Sequence, residues 1–395
     1  MPCWKQNLVA LWIAQLLSIA GFSFALPFGP FYLQELGIQE PALLRIWSGI
    51  FTSSAAFTMA IMTPFWGYLA DRYGKKPMTL RAGLGGTIAL LGMGLAHSPE
   101  TLLLFRLLQG CFTGTVTAYL TLVIAETPQE HRGLAIGLMN AAVFCGNSIG
   151  PLAGGVFSDR FGYRAAFLMA AGLLCLSFLL TFIFVREHTI GRRNSSFSFF
   201  SEMKALMLLG GVIPIIIVIF IYAAARTMQN PVLPLVVQDL TSRPATVATQ
   251  TGIVGSAAGI ASVFAGILAG ALSRRGQATR LVTVLAFSTA AFGMGTFFVT
   301  EVWHLTILYF FAALCMGGID PLLKVLLSRI VPAAQHGSAF GIIGSARAFG
   351  WFSGSLSGGI FAACIGLRPV FLLMAGCFVI IGAFLKISER ALQDQ

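Results

Sequence analysis

G-Y-L-A-D-R-Y-G-K-K, from Gly67 to Lys76, is the densest charge cluster in the first half of this chain. Asp71, Arg72, Lys75 and Lys76 stand together there, punctuated by Gly67 and Gly74. The segments on either side are apolar, and each is long enough to cross a bilayer, which takes about 20 residues of helix. A polar turn this short between two such segments is a tight loop on one membrane face.

The composition extends that reading to the whole chain. Of 395 residues, 57% are hydrophobic and 10% charged, with mean hydropathy +0.84. A soluble domain carries about 25% charged residues. The basic excess, formally +11, is unevenly placed. Sixteen of the 25 Lys and Arg, Arg81 among them, fall in one alternating set of loops and the termini. Five fall in the opposite set (Arg45, Arg160, Arg164, Arg243 and Arg368), and four (Arg106, Arg226, Lys324 and Arg347) lie inside apolar segments. This bias follows the positive-inside rule and places both termini in the cytoplasm. It accounts for the net charge through the lipid bilayer, so no nucleic-acid partner is expected. Six cysteines sit in apolar segments without C-x-x-C or ligand spacing. They read as small hydrophobes, and no disulfide, metal site or cofactor is expected.

Apolar windows of roughly 20 to 27 residues can be counted along the chain. Twelve are expected, near 7–33, 43–70, 77–96, 100–125, 133–157, 163–185, 207–235, 248–272, 279–300, 304–330, 337–362 and 367–387. The long polar interval 186–206, opening R-E-H-T-I-G-R-R-N-S-S, reads as a cytoplasmic linker between bundles at 1–185 and 207–395. The two halves repeat at a constant offset of 204 residues. Pro27, Pro30, Gln34, Glu35 and Leu36 meet Pro231, Pro234, Gln238, Asp239 and Leu240. Gly150, Gly154, Gly155, Gly162 and Arg164 meet Gly354, Gly358, Gly359, Gly366 and Arg368. Six spans per repeat keep both copies in the same orientation, related by an axis along the membrane normal with a cavity between them. The fold expected is an all-α polytopic membrane protein of 12 transmembrane helices arranged as two six-helix repeats.

The Gly67–Lys76 run resembles the loop signature G-x-L-a-D-r-x-G-r-K of the major facilitator superfamily, with Lys75 replacing the usual arginine. R-L-L-Q-G at Arg106 to Gly110 and G-N-S-I-G-P-L-A-G-G at Gly146 to Gly155 extend the likeness. The second run is similar to the motif associated with antiporters of that superfamily. With L-P-F-G-P-F-Y at Leu26 to Tyr32, the chain resembles the twelve-span drug:proton antiporter branch, including bacterial multidrug exporters linked with fosfomycin and bile-salt resistance. The resemblance implies that Gly67, Asp71, Arg72, Gly74, Lys75 and Lys76 form a conformational lock on the cytoplasmic side. The bland alternative is a solvated loop that only fixes topology. The equivalent loop Gly270 to Gly276, G-A-L-S-R-R-G, lacks the aspartate, so an acid-based lock is expected in one half alone.

Gly146, Gly150, Pro151, Gly154 and Gly155 leave one helix face nearly without side chains, as close helix packing requires, and a proline can kink such a helix. Asp320 and Lys324, four residues apart and thus on one face, stand inside the tenth span, where the first repeat has Val116 and Leu120. Withdrawal from water favours the protonated form of a carboxylate, which suits Asp320 to proton coupling with Lys324 and Arg106. The alternative for Asp320 is a permanent ion pair with Lys324; for Arg106 it is snorkelling to the interface. Arg226 and Arg347 give the second half a net positive interior, which suits an anionic or zwitterionic substrate. Gln15, Gln109, Tyr119 and Asn140 are further candidates for the cavity wall.

The expected function is a proton-coupled exporter of small amphipathic molecules working by alternating access, monomeric, in the bacterial inner membrane. Its partners are a small-molecule substrate and protons. No P-loop is present to use ATP, and no catalytic elbow or metal cluster suggests an enzyme. An uptake symporter or facilitator, or a siderophore or organic-anion exporter, is the alternative.

Overall fold

Every described element of the computed structural model is helical. The structure describes residues 3–112, 114–187, 212–272, 278–331 and 336–393; side chains at 3, 64, 68, 71, 270–272, 328–330, 336–342 and 388–393 are outside the described set. The helices are α1 (Cys3–Ala25), α2 (Gly29–Glu35), α3 (Pro41–Tyr73), α4 (Lys75–Gly94), α5 (Pro99–Phe112), α6 (Thr115–Glu126), α7 (Arg132–Phe184), α8 (Val212–Met228), α9 (Leu233–Leu240), α10 (Val247–Leu272), α11 (Ala278–Gly295), α12 (Val302–Ile330), α13 (His336–Ile365) and α14 (Pro369–Gln393). Lipid offers the backbone no hydrogen-bond partner, so each crossing must satisfy its own amides, which a helix does.

Ten stretches among the described residues are long and apolar enough to cross a membrane. One of them, Gln129–Phe184, is 56 residues long and is interrupted at Gly162, whose φ of 82° is closed to ordinary helix. It thus provides two crossings joined by a tight turn. With the less apolar, 20-residue α4, twelve crossings result. Prolines fix the breaks where the sequence repeat places them. Pro30 sits at the start of α2 after a 3₁₀ turn at Leu26–Phe28, and Pro234 at the start of α9 after a turn at 229–232, each in the first span of its repeat.

By its contacts the chain forms two compact units. One comprises Met1–Gln39, Ser54–Ser195 and Ser242–Ser256; the other comprises Glu40–Ser53, Ser196–Thr241 and Ala257–Gln395. The first turns of α3 therefore belong to the second unit, and those of α10 to the first. Residues 188–206 of the expected linker lie outside the described residues. Arg186 and Glu187 do not hang free: Asn7 exchanges two hydrogen bonds with the Arg186 backbone, at 2.7 and 3.0 Å.

In the first unit α1 packs along both arms of α7. The seam is built from glycines, because backbone meets backbone there. A Cβ on Gly154 would strike the Phe24 carbonyl, and one on Gly146 would lie 2.9 Å from the Ala20 nitrogen. In the second unit α8 packs on α13 in the same way, and Gly358 faces the Met228 carbonyl. Residues 24 and 228, like 154 and 358, are 204 positions apart. The sequence repeat is thus a repeat of close backbone contacts. The acid–arginine pairs follow it too. Glu35 lies in the field of Arg164, and Asp239 in that of Arg368.

Candidate functional site

The second unit gathers all but one of the charges that the sequence places inside apolar spans, Arg106 being in the first. Asp320 and Lys324 lie one turn apart on α12 and meet at 2.6 Å between Oδ2 and Nζ. Arg347, from α13, reaches the other oxygen, with Nη1 3.3 Å from Oδ1. Arg226, on α8, is close enough to act electrostatically on Asp320 and lies beside the Tyr222 hydroxyl. One carboxylate therefore stands among three cations contributed by three helices. The surroundings are fitted to hold it. The Tyr222 hydroxyl donates to the Met316 carbonyl at 2.9 Å, which ties α8 to α12 below the cluster. The Arg347 guanidinium lies 5.7 Å from the Trp351 ring centre, a cation–π distance. Pro321 follows Asp320 directly and removes one backbone donor from the helix at that turn.

Asp320 and Arg347 are partly accessible, at 21% and 26% of their side-chain surface, and Lys324 at 40%. Arg226 is exposed. These groups can exchange protons and ions without unpacking a core. An ion pair of this kind can also be opened: a proton on Asp320 neutralises the one acid and releases two cations.

The first unit carries polar groups of another kind. Arg106 is 8% exposed and donates to Gln109 Oε1 on the same face of α5. Gln15, on α1, is 1% exposed, and neither atom of its amide has a hydrogen-bond partner among the described residues. Tyr119 is fully buried; its hydroxyl bonds Ser177 Oγ at 2.9 Å, and Ser177 in turn donates to the Ala14 carbonyl at 2.7 Å. The structure therefore places Tyr119 in the packed core with Leu8, Leu11 and Ala14 of α1. Asn140 is exposed on α7.

The glycine run on α7 divides by face. Gly146, Gly150 and Gly154 meet α1, while Pro151 and Gly155 meet the first turns of α10. The Gly67–Lys76 run is not the loop its polarity suggests: α3 continues to Tyr73 and α4 begins at Lys75, so Gly74 alone breaks the helix. The Asp71 side chain lies outside the described residues, as does most of Gly270–Gly276. Gly67 and Arg72 are exposed. Gly74, at φ 98°, starts α4, and the N–H groups of Lys75 and Lys76 donate to the Glu187 carboxylate at 2.8 and 2.9 Å. Lys76 Nζ donates to the Phe182 carbonyl at 3.2 Å. Glu187 is a helix cap that the sequence conceals, since it lies in the polar interval far from the helix it caps. Arg81 also departs from expectation. It sits within α4, and its guanidinium lies 3.6 Å from the Trp66 ring centre, so it is a helix residue held on an aromatic face.

A duplicated six-span helical membrane protein with ionisable groups inside its spans, an acid among cations in the second repeat, has the construction of a secondary transporter. The chain belongs to the major facilitator superfamily, whose family model matches residues 11–212 and 215–393. It is 31% identical over 374 residues, 94% of this chain and 93% of the relative, to the multidrug resistance protein MdtG of Salmonella paratyphi B. The same figures hold for MdtG of Salmonella typhimurium. Among solved structures it resembles a bacterial homologue of the human lysosomal transporter Spinster in an inward-facing and occupied conformation, with TM-score 0.81, 14% identity and coverage of 100% and 99%. The nucleoside transporter NupG gives TM-score 0.76 at 17% identity, covering 98% of this chain and 99% of that one. The protein is a multi-pass membrane transporter of small molecules and not an enzyme.

Proposed function

We propose that this transporter exports small amphipathic compounds in exchange for protons, with Asp320 as the proton-carrying group. The single observation that carries this reading is the position of Asp320 between Lys324 and Arg347, with Arg226 close by. The sign of the coupling follows from charge. Exchange requires substrate and proton to compete, so the substrate must bring positive charge to Asp320 when the proton leaves. The surplus of cations requires a negative group for Arg226 and Arg347. A zwitterion satisfies both: its ammonium takes Asp320 and its anion takes Arg226. Sequence likeness to multidrug resistance proteins supports export of such compounds. Within the first unit Arg106, Gln109 and Gln15 are the polar candidates, and the Gly67–Lys76 run acts as the conformational lock.

The same cluster favours one second reading. A pure anion binds better when Asp320 is protonated, because the proton frees Lys324 and Arg347. Anion and proton then assist one another, and by linkage they travel together. Such a protein is a symporter.

The six-span repeats at 1–185 and 207–395, joined by 186–206, act as the two moving bundles of a monomer in the bacterial inner membrane. Both termini are cytoplasmic, from the placement of Lys and Arg. The test is proton flux in proteoliposomes under an imposed pH gradient, screening zwitterions, anions and lipophilic cations. Proton movement opposite to a zwitterion, lost in Asp320→Asn, supports exchange. Movement with an anion supports the symporter, and substrate equilibration without proton movement rejects coupling.

A further inference from the structure

Asp159 lies three residues before the Gly162 turn, at the end of the first arm of α7, in the run S-D-R-F-G. The run A-D-R-Y-G at 70–74 has the same pattern and likewise ends on a glycine of positive φ. The Asp159 carboxylate accepts from the N–H groups of Ala248 and Thr249 at the start of α10, at 3.1 and 2.7 Å. Below it the two helices are drawn together without side chains between them. Gly155 faces the Ala248 carbonyl, Gly252 faces the Pro151 carbonyl, and Ser256 Oγ accepts from the Leu152 N–H at 3.1 Å.

The repeat supplies a second contact of opposite polarity. Position 45 is the equivalent of Thr249, and there the chain has Arg45. Its Nη1 donates to the Ala362 carbonyl in the last turn of α13, at 3.2 Å, and Gly49 packs against Gly359. Asp239 lies within electrostatic reach of Arg45. A carboxylate thus caps the N-terminal end of one helix, and a guanidinium caps the C-terminal end of another. Each charge also stands at the wrong end of its own helix. Asp159 is near the C-terminal end of its arm, and Arg45 is in the first turns of α3, where the helix dipole opposes them. Each gains instead from the partner helix, and Arg45 also from Asp239.

We infer that Asp159 and Arg45 are positioning residues of the transport cycle: paired clasps that hold α7 to α10 and α13 to α3 in one conformation and are released in the other. The inference rests on the alternating-access reading but not on proton coupling. On the orientation proposed above, both clasps lie at the extracytoplasmic ends of their helices.

Thiol labelling tests this without a known substrate. In a background lacking the natural cysteines, Ser256→Cys places a thiol in the seam beside Leu152. Its reaction with a membrane-impermeant maleimide is followed in intact cells. Asp159→Asn is expected to raise the labelling rate roughly five-fold, and Asp159→Glu to restore the parental rate. Arg45→Gln is expected to raise it as well, although Arg45 belongs to the other contact. Detergent size-exclusion profiles report folding of each variant. Folded Asp159→Asn and Asp159→Ala proteins that label at the parental rate would overturn the inference. If labelling shifts while proton flux is never observed, the clasp stands and the coupling proposal fails.

Discussion

Asp320 and Lys324 meet at 2.6 Å on one face of α12, whereas the equivalent positions of the first repeat hold Val116 and Leu120. The two repeats therefore share a scaffold and differ in chemistry. Because Arg347 holds the second oxygen of Asp320 from another helix, any event at this carboxylate is felt by both α12 and α13. A change of protonation here alters how two spans attract one another.

Asp320→Asn keeps the shape of the side chain and removes its charge. Substrate-driven proton flux in proteoliposomes should fall by about tenfold or more, while membrane insertion and the detergent melting temperature stay near the parental values. Wild-type flux in this variant would exclude Asp320 as the obligatory proton carrier.

Arg226→Gln removes the cation that Asp320 does not contact directly. The half-saturating concentration of a zwitterionic substrate should rise about tenfold, equivalent to about 1.4 kcal/mol, with proton coupling per substrate unchanged. An unaltered concentration dependence would show that the substrate anion lies elsewhere.

Glu187→Ala deletes the acceptor for the first two amides of α4. The expected cost is about 1 kcal/mol, as for loss of a helix cap. Hydrogen exchange should quicken at Lys75 and Lys76 before it changes elsewhere in the unit. Unchanged protection there would show that water replaces the carboxylate without cost.

Gly154→Ala and Gly358→Ala each drive a methyl group into a facing backbone carbonyl. Both should destabilise by about 1–3 kcal/mol, and by similar amounts because the contacts are repeat-related. Gly137→Ala, on the same helix as Gly154 but with open space at its Cβ, should stay within about 1 kcal/mol of the parent. Thermal unfolding in one detergent compares all three.

The glycine and proline register was legible because it encodes backbone geometry: residues that permit close approach or break a helix do so wherever they fall. Embedded charges were legible for a related reason. Lipid makes Asp320, Lys324, Arg226 and Arg347 costly, so their presence signals that they meet. Caps were not legible. The partners of Glu187 and Asp159 are backbone amides, which leave no mark on the residues that carry them. The Arg81 contact was not legible either, because only the fold brings Trp66 over its guanidinium. Tyr119 suggested a pocket wall because it is polar in an apolar span, but its hydroxyl is engaged by Ser177, a partner 58 positions away.

The duplicated glycine seams carry a consequence for how such a chain can change. Gly146, Gly150 and Gly154 and their counterparts Gly350, Gly354 and Gly358 set how the helices fit, and they do so twice over. The Asp320 cluster exists once. A methyl group added to either glycine seam disturbs the packing of its own repeat, whereas replacement of Asp320, Lys324, Arg226 or Arg347 leaves both seams untouched. The charges of the second repeat can therefore change without refitting the helices that carry them.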